Sequence, residues 1–230
     1  MNPSENETPI KACLFDAYGT LFDVHAPVEA LAARIGPNAA AMSALWRQKQ
    51  LQYTWLRSLM NAYTGFETLT AEALDHALAV YDVGDDGLRR DLLAKYRCLD
   101  AYPDVPDCLQ HLQDQGLKTG ILSNGESDAV IAAARSADIA TQLDPILSAE
   151  TVQIFKPHSA VYQLAPDTLA LAPAQICFVS ANAWDVAGAA HFGFHVIWLN
   201  RFSQTAEALP GSPKAAIPTL GALPAALGLT

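Results

Sequence analysis

A chain of 230 residues with a formal net charge of −10 sets the first limits. Hydrophobic residues make up 51% of it while the mean hydropathy is only +0.13, so apolar residues are dispersed as in a soluble globular protein, and no run reaches the roughly 18 apolar residues of a membrane span. There is no Lys/Arg cluster to neutralise phosphates, which argues against nucleic acid and anionic membranes as partners.

The N-terminal stretch MNPSENETPIK is polar and acidic, with neither the basic nor the apolar region of a secretion signal, so a cytoplasmic location is expected. Cys13, Cys98, Cys108 and Cys177 lie far apart without a C-x-x-C pair and read as small buried hydrophobes. The length suits one α/β domain or a core carrying a smaller inserted one. ACLFD from Ala12 is the first buried strand. From His25 to Asp100 the periodicity is helical, broken at Gly36-Pro37, Gly65 and Gly84, which predicts a helical insertion. Its longest helix, about Asn38 to Ala62, is apolar at Met42, Leu45, Trp46, Tyr53, Leu56 and Met60, with Arg47, Leu51 and Trp55 roughly opposite. A helix apolar on two sides needs covering on two sides, as in a cap that packs on its own bundle and closes over a cleft. Arg47 then faces the cleft.

Next come a helix, VPDCLQHLQDQ, closed by Gly116, a strand, LKTGILS, from Leu117, and the helices SDAVIAAARSA and HSAVYQLAPDTLAL. Strands QICFVS from Gln175 and FHVIWLN from Phe194 follow, and the Ala/Pro-rich end from Ala215 reads as a short terminal helix with loops. The alternation predicts a doubly wound, Rossmann-like parallel sheet built from residues 1–24 and 100–230, with a helical-bundle cap at 25–99. Ligands in such folds bind beyond the carboxyl ends of the strands. Those ends read Asp16-Ala17-Tyr18-Gly19-Thr20, Ser123-Asn124-Gly125 and Ser180-Ala181-Asn182-Ala183-Trp184-Asp185. Pro166 removes the hydrogen bond to the Tyr162 carbonyl and predicts a kink or a fresh helix start there. His191 and His195 have i, i+4 spacing, but Gly193 and the strand onset at Phe194 break the helical face a metal would need.

Asp16-x-x-Gly19-Thr20-Leu21, Ser123-Asn124-Gly125, Lys156-Pro157 and Asp185 occur in the order and strand-end contexts of the haloacid dehalogenase superfamily. DAYGTLFDVH, LWRQKQLQYTWLRSLM, ILSNG, FKPHSAVYQLA and FVSANAWD resemble specifically its L-2-haloacid dehalogenases, over essentially the whole chain. A lone Asp at a strand end more often caps the next segment; five motifs in order overturn that reading. Held fixed and flanked by donors, such a carboxylate is a usable nucleophile.

Superfamily members that transfer phosphoryl groups typically carry a second Asp two residues after the nucleophile as general acid, and here Tyr18 stands there. Their Mg²⁺ site also uses acidic partners near the last motif, where this chain has Ser180 and Asn182. A hard divalent cation wants more carboxylate oxygens. Expulsion of halide from carbon needs neither the acid nor the metal. The resemblance implies that Asp16, beside Thr20, attacks C2 of an (S)-2-haloalkanoic acid with inversion, forming an ester, and that Arg47 accepts the halide. It places Ser123, Asn124 and Lys156 on the substrate carboxylate, and Tyr18, Leu51, Phe66 and Trp184 around the substrate. Asp185, oriented with Ser180 and Asn182, activates the hydrolytic water, and Tyr162 completes the polar cluster. No cofactor or metal is expected, and a homodimer is. A Mg²⁺-dependent phosphatase would need a replacement acid and a rebuilt metal site. A non-catalytic binding protein would have lost one of Asp16, Lys156 or Asp185, and all three are present.

Overall fold

The computed structural model describes residues 9–229, so most of the N-terminal segment read above as lacking a leader lies outside the described residues. The chain opens with β1 (Ala12–Phe15), a strand with every residue buried. Five helices follow: α1 (Ala26–Ala30), α2 (Ala32–Ile35), α3 (Ala39–Leu59), α4 (Phe66–Val80) and α5 (Asp86–Tyr96). Next come α6 (Val105–Asp114), β2 (Lys118–Ser123), α7 (Ser127–Ser136), β3 (Ile146–Ser148), α8 (Ser159–Leu169), β4 (Ile176–Ser180), α9 (Ala183–Phe192), β5 (His195–Leu199), β6 (Ala215–Ile217) and α10 (Leu223–Ala226). The strands make one parallel sheet in the order β3-β2-β1-β4-β5-β6. β1 is central, with Cys13 opposite Thr119 of β2 and Cys177 of β4. The chain therefore winds first to one side of β1 and then to the other, and the carboxyl end of β1 lies at that reversal, where such sheets bind ligands. This is the Rossmann-like architecture expected, with α1–α5 inserted between β1 and β2. No helix among the described residues is long and apolar enough to cross a membrane.

The structure departs from the sequence reading in five places. β3 and β6 were unforeseen, and β6 makes the start of the Ala215 segment an edge strand. The helix with Pro166 runs unbroken from Ser159 to Leu169, carried past the missing donor by the buried Val161, Tyr162 and Ala165. α3 stops at Leu59, because Asn61 takes a left-handed conformation and Ala62 N–H returns to the Arg57 carbonyl at 2.9 Å, closing the helix. The buried stripe of α3 passes through Met42, Trp46, Gln50 and Thr54, so Leu56, across the last turns from Thr54, is exposed, as is Met60 just past the helix end. Cys98, beyond the end of α5, is exposed, whereas the other three cysteines are buried.

Contacts tie the insertion to the sheet domain. Glu126 accepts the Glu67 N–H in the first turn of α4 at 3.1 and 3.2 Å, and Phe155 N–H donates to the Ser58 hydroxyl of α3 at 3.2 Å.

Candidate active site

Asp16 follows β1 directly, and its N–H still donates to Val179 of β4 at 3.0 Å. The turn after it folds tightly, with the N–H groups of Leu21 and Phe22 donating to the Ala17 carbonyl at 2.9 and 3.0 Å. Gly19 has φ +89°, which a side chain would strain, and this turn brings the Thr20 hydroxyl back onto Asp16 Oδ2 at 3.0 Å. Thr20 Oγ1 also accepts the Ala181 N–H at 2.9 Å, pinning the loops after β1 and β4 together. The same Oδ2 accepts Asn182 Nδ2 at 2.7 Å, and Oδ1 accepts Lys156 Nζ at 3.0 Å.

Lys156 is fully buried, and its ammonium has three acceptors: Asp16, the Leu122 carbonyl at 2.9 Å and Asp185 Oδ2 at 2.6 Å. Burial works against its charge, but Asp16 and Asp185 outweigh that and hold its pKa above the usual lysine value. Asp185, also fully buried, receives the Tyr162 hydroxyl on Oδ1 at 2.7 Å. Burial pushes the Asp185 carboxyl up to about 6; the charge of Asp16 adds to this, and Lys156 opposes it. An ammonium shared with Asp16 does not offset the desolvation of Asp185. Tyr162 reaches Asp185 because residue 188 is glycine: a Cβ there would lie 2.6 Å from the Tyr162 hydroxyl.

Arg47 reaches the cluster from α3. Its guanidinium donates to Gln50 Oε1 at 2.7 Å, the Tyr18 carbonyl at 3.0 Å and Asn182 Oδ1 at 3.3 Å. Asn182 thus links Arg47 to Asp16, while Lys156 and Tyr162 orient Asp185; this differs from the expected pairing of Asn182 with Asp185. Ser180 Oγ accepts the Asn182 N–H at 3.1 Å, fixing the loop rather than touching a carboxylate. Asn124 Oδ1 takes the Lys156 N–H at 2.8 Å, and the Ser123 hydroxyl takes the Gly125 N–H at 3.0 Å.

The Tyr18 ring stacks on Tyr96 at 5.6 Å and meets Phe66 at 5.3 Å, and a cavity of about 520 Å³ is lined by these three with Thr70 and Leu93. A second, of about 360 Å³, is lined by Trp55, Leu59, Phe155 and Lys156. Trp184 packs edge-on against Trp55 at 5.5 Å, joining α9 to α3. Leu51 is half-buried one turn beyond Arg47. Sequence reasoning missed Gln50, Tyr96 and Gly188. A polar residue continuing the Met42–Trp46 line was the available signal for Gln50.

The donor set does not suit the Mg²⁺ of phosphoryl-transferring superfamily members. Asn182 aims a hydrogen-bond donor at Asp16 Oδ2, and the Lys156 ammonium already bridges Asp16 and Asp185.

A family model of haloacid dehalogenase-like hydrolases matches residues 10–193. The chain is 46% identical over 193 residues to (S)-2-haloacid dehalogenase 4A of Burkholderia cepacia, with 84% of each chain covered. It is 44% identical over 200 residues to (S)-2-haloacid dehalogenase 1 of Pseudomonas sp. (strain CBS-3), covering 86% of this chain and 88% of the relative. Among solved structures, the L-2-haloacid dehalogenase from Xanthobacter autotrophicus with chloropropionic acid covalently bound superposes with a TM-score of 0.88 at 35% identity, covering 94% of this chain and 97% of that one. An aspartate at the sheet reversal, the lysine bridging it to a second aspartate and a match over most of the length agree: this chain belongs to the haloacid dehalogenase-like hydrolases.

Proposed function

We propose that the protein hydrolyses (S)-2-haloalkanoic acids to (R)-2-hydroxy acids and halide through an ester on Asp16. The observation that carries this reading is the pairing of Asp16, held by Lys156, Thr20 and Asn182, with an arginine whose acceptors are all neutral, beside a tyrosine where a phosphatase needs an acid. The names of the close relatives support it.

An Asp16 carboxylate oxygen attacks C2 from the side opposite the halogen. The carbon–oxygen bond forms as the carbon–halogen bond breaks, and the halide leaves with the bonding pair towards Arg47. Configuration at C2 inverts. Ser123, Asn124 and Lys156 lie on the side assigned to the substrate carboxylate, and Tyr18, Leu51, Phe66 and Trp184 around its apolar part. Water then adds to the Asp16 carbonyl carbon while Asp185 takes its proton; collapse breaks the ester bond at the aspartyl carbon, the proton on Asp185 passes to the departing oxygen, and the hydroxy acid leaves with C2 untouched while the Asp16 carboxyl loses its own proton to solvent. A base near neutrality suits this step, and the raised Asp185 carboxyl meets that need. Neither step calls for a cofactor.

The same reading takes residues 25–99 as the cap and 1–24 with 100–230 as the core, and places a homodimer in the cytoplasm. The exposed Leu56 and Leu59 of α3, with Met60 just past its end, give a second copy an apolar face to cover.

Halide release from separate (S)- and (R)-2-chloropropionate, with EDTA throughout, tests the activity. Release from the (S) form alone is expected. No halide from either, with magnesium-dependent phosphate release from a phosphate ester, would replace the reading by a phosphatase.

A further inference from the structure

Gln50 is a primary amide only 1% exposed, three residues beyond Arg47 on α3. Packing alone would be met by leucine or methionine at less desolvation cost. Its amide is fully engaged instead. Oε1 accepts Arg47 at 2.7 Å, Nε2 donates to Thr70 Oγ1 of α4 at 2.6 Å, and the Tyr96 hydroxyl of α5 lies within hydrogen-bond reach of both ends of the amide, 3.1 Å from Nε2 and 3.2 Å from Oε1. The Thr70 hydroxyl gives its own proton to the Phe66 carbonyl at 2.8 Å, so its lone pairs are what it offers Gln50. That fixes the amide with its oxygen towards Arg47, because a flipped amide would set donor against donor at Arg47 and acceptor against acceptor at Thr70.

We infer that Gln50 is a positioning residue for Arg47, an inference that rests on the reading of Arg47 as halide acceptor. Three cap helices converge on this amide, and through it they hold the guanidinium so that its other edge reaches Tyr18 and Asn182 beside Asp16. The choice of amide over carboxylate matters. Among the described residues, Arg47 donates to a carbonyl and two amide oxygens, all neutral, and no carboxylate there competes with the halide for its charge. A carboxylate at position 50 would orient the guanidinium equally well and neutralise it. A halide exists only as the carbon–halogen bond breaks, so fixing Arg47 affects the transition state more than substrate binding.

The test uses the full chain carrying Gln50→Met or Gln50→Glu, with single-turnover halide release and KM measured on (S)-2-chloropropionate and (S)-2-bromopropionate. Gln50→Met is expected to slow halide release about 10- to 100-fold with KM changed less than about 2-fold. The loss is larger for chloride, the poorer leaving group, than for bromide. Gln50→Glu loses at least as much. In an Arg47→Ala background, Gln50→Met adds no further loss. Equal loss on both halides, or full additivity with Arg47→Ala, would reduce Gln50 to a packing residue. Should Gln50→Met fail to fold, Thr70→Val removes the acceptor that sets the amide and carries the same halide signature at smaller size; a loss equal for both halides would again overturn the proposal. An inactive Arg47→Ala beside an unaffected Gln50→Met overturns the positioning role alone. Near-normal turnover in Arg47→Ala overturns the halide reading beneath it.

Discussion

On the sheet side of the site, Asp16, Lys156 and Asp185 form a closed set of opposite charges, with all three ammonium protons engaged. On the insertion side, the oxygens that hold Arg47 among the described residues are neutral, one of them from a glutamine in a helical bundle. The two arrangements suit charges of different lifetimes. A nucleophile and a base must be kept ionised and placed whether or not substrate is present, so their counter-charge is permanent. The leaving group's charge appears only during reaction, so its acceptor must be fixed without being neutralised.

The largest expected effect breaks the sheet-side half. Lys156→Met leaves two buried carboxylates without their cation and is expected to cost about 3–5 kcal/mol of stability at pH 8, as removal of one partner from a buried pair does. The cost shrinks at pH 5, where protonation relieves the repulsion. Chemical denaturation at both pH values measures it, and a loss below about 1 kcal/mol, or one independent of pH, would mean the lysine does not hold the pair together.

A smaller effect sharpens the same half. Ester hydrolysis needs Asp185 ionised, so its rate falls as pH drops through the Asp185 pKa, about 6 with Asp16 charged beside it. Asp16 raises that value, and in the ester it carries no charge. The half-point for ester hydrolysis in single turnovers is therefore expected below pH 6, and a half-point above it would show that the two carboxyls are not coupled this way.

The two halves also differ in how far the sequence disclosed them. Ala12–Phe15, Lys118–Ser123, Ile176–Ser180 and His195–Leu199 were legible as apolar runs, and their carboxyl ends marked Asp16, Asn182 and Asp185. The edge strands Ile146–Ser148 and Ala215–Ile217 were not, because three residues, with just the last of them buried, make no periodic signal. On the helical side, hydropathy alone assigned Leu56 and Met60 to a covered face, whereas the stripe actually buried continues from Trp46 into Gln50 and Thr54. Polarity at those two positions hid the burial. The two-sided apolar pattern of its helix turned Arg47 to the cleft and family resemblance supplied its role, whereas the amide behind it had no motif to announce it. Pro166 shows the limit of local rules, since tertiary burial of Tyr162 outweighs one missing hydrogen bond.

The most direct measurement of the central claim is the mass of the tryptic peptide containing Asp16 after Asp185→Asn enzyme has met (S)-2-chloropropionate. Halide release stoichiometric with enzyme and a peptide heavier by the propionate group are predicted, because the ester forms and its hydrolysis lacks a base. Halide released without any adduct on Asp16 would contradict the covalent route.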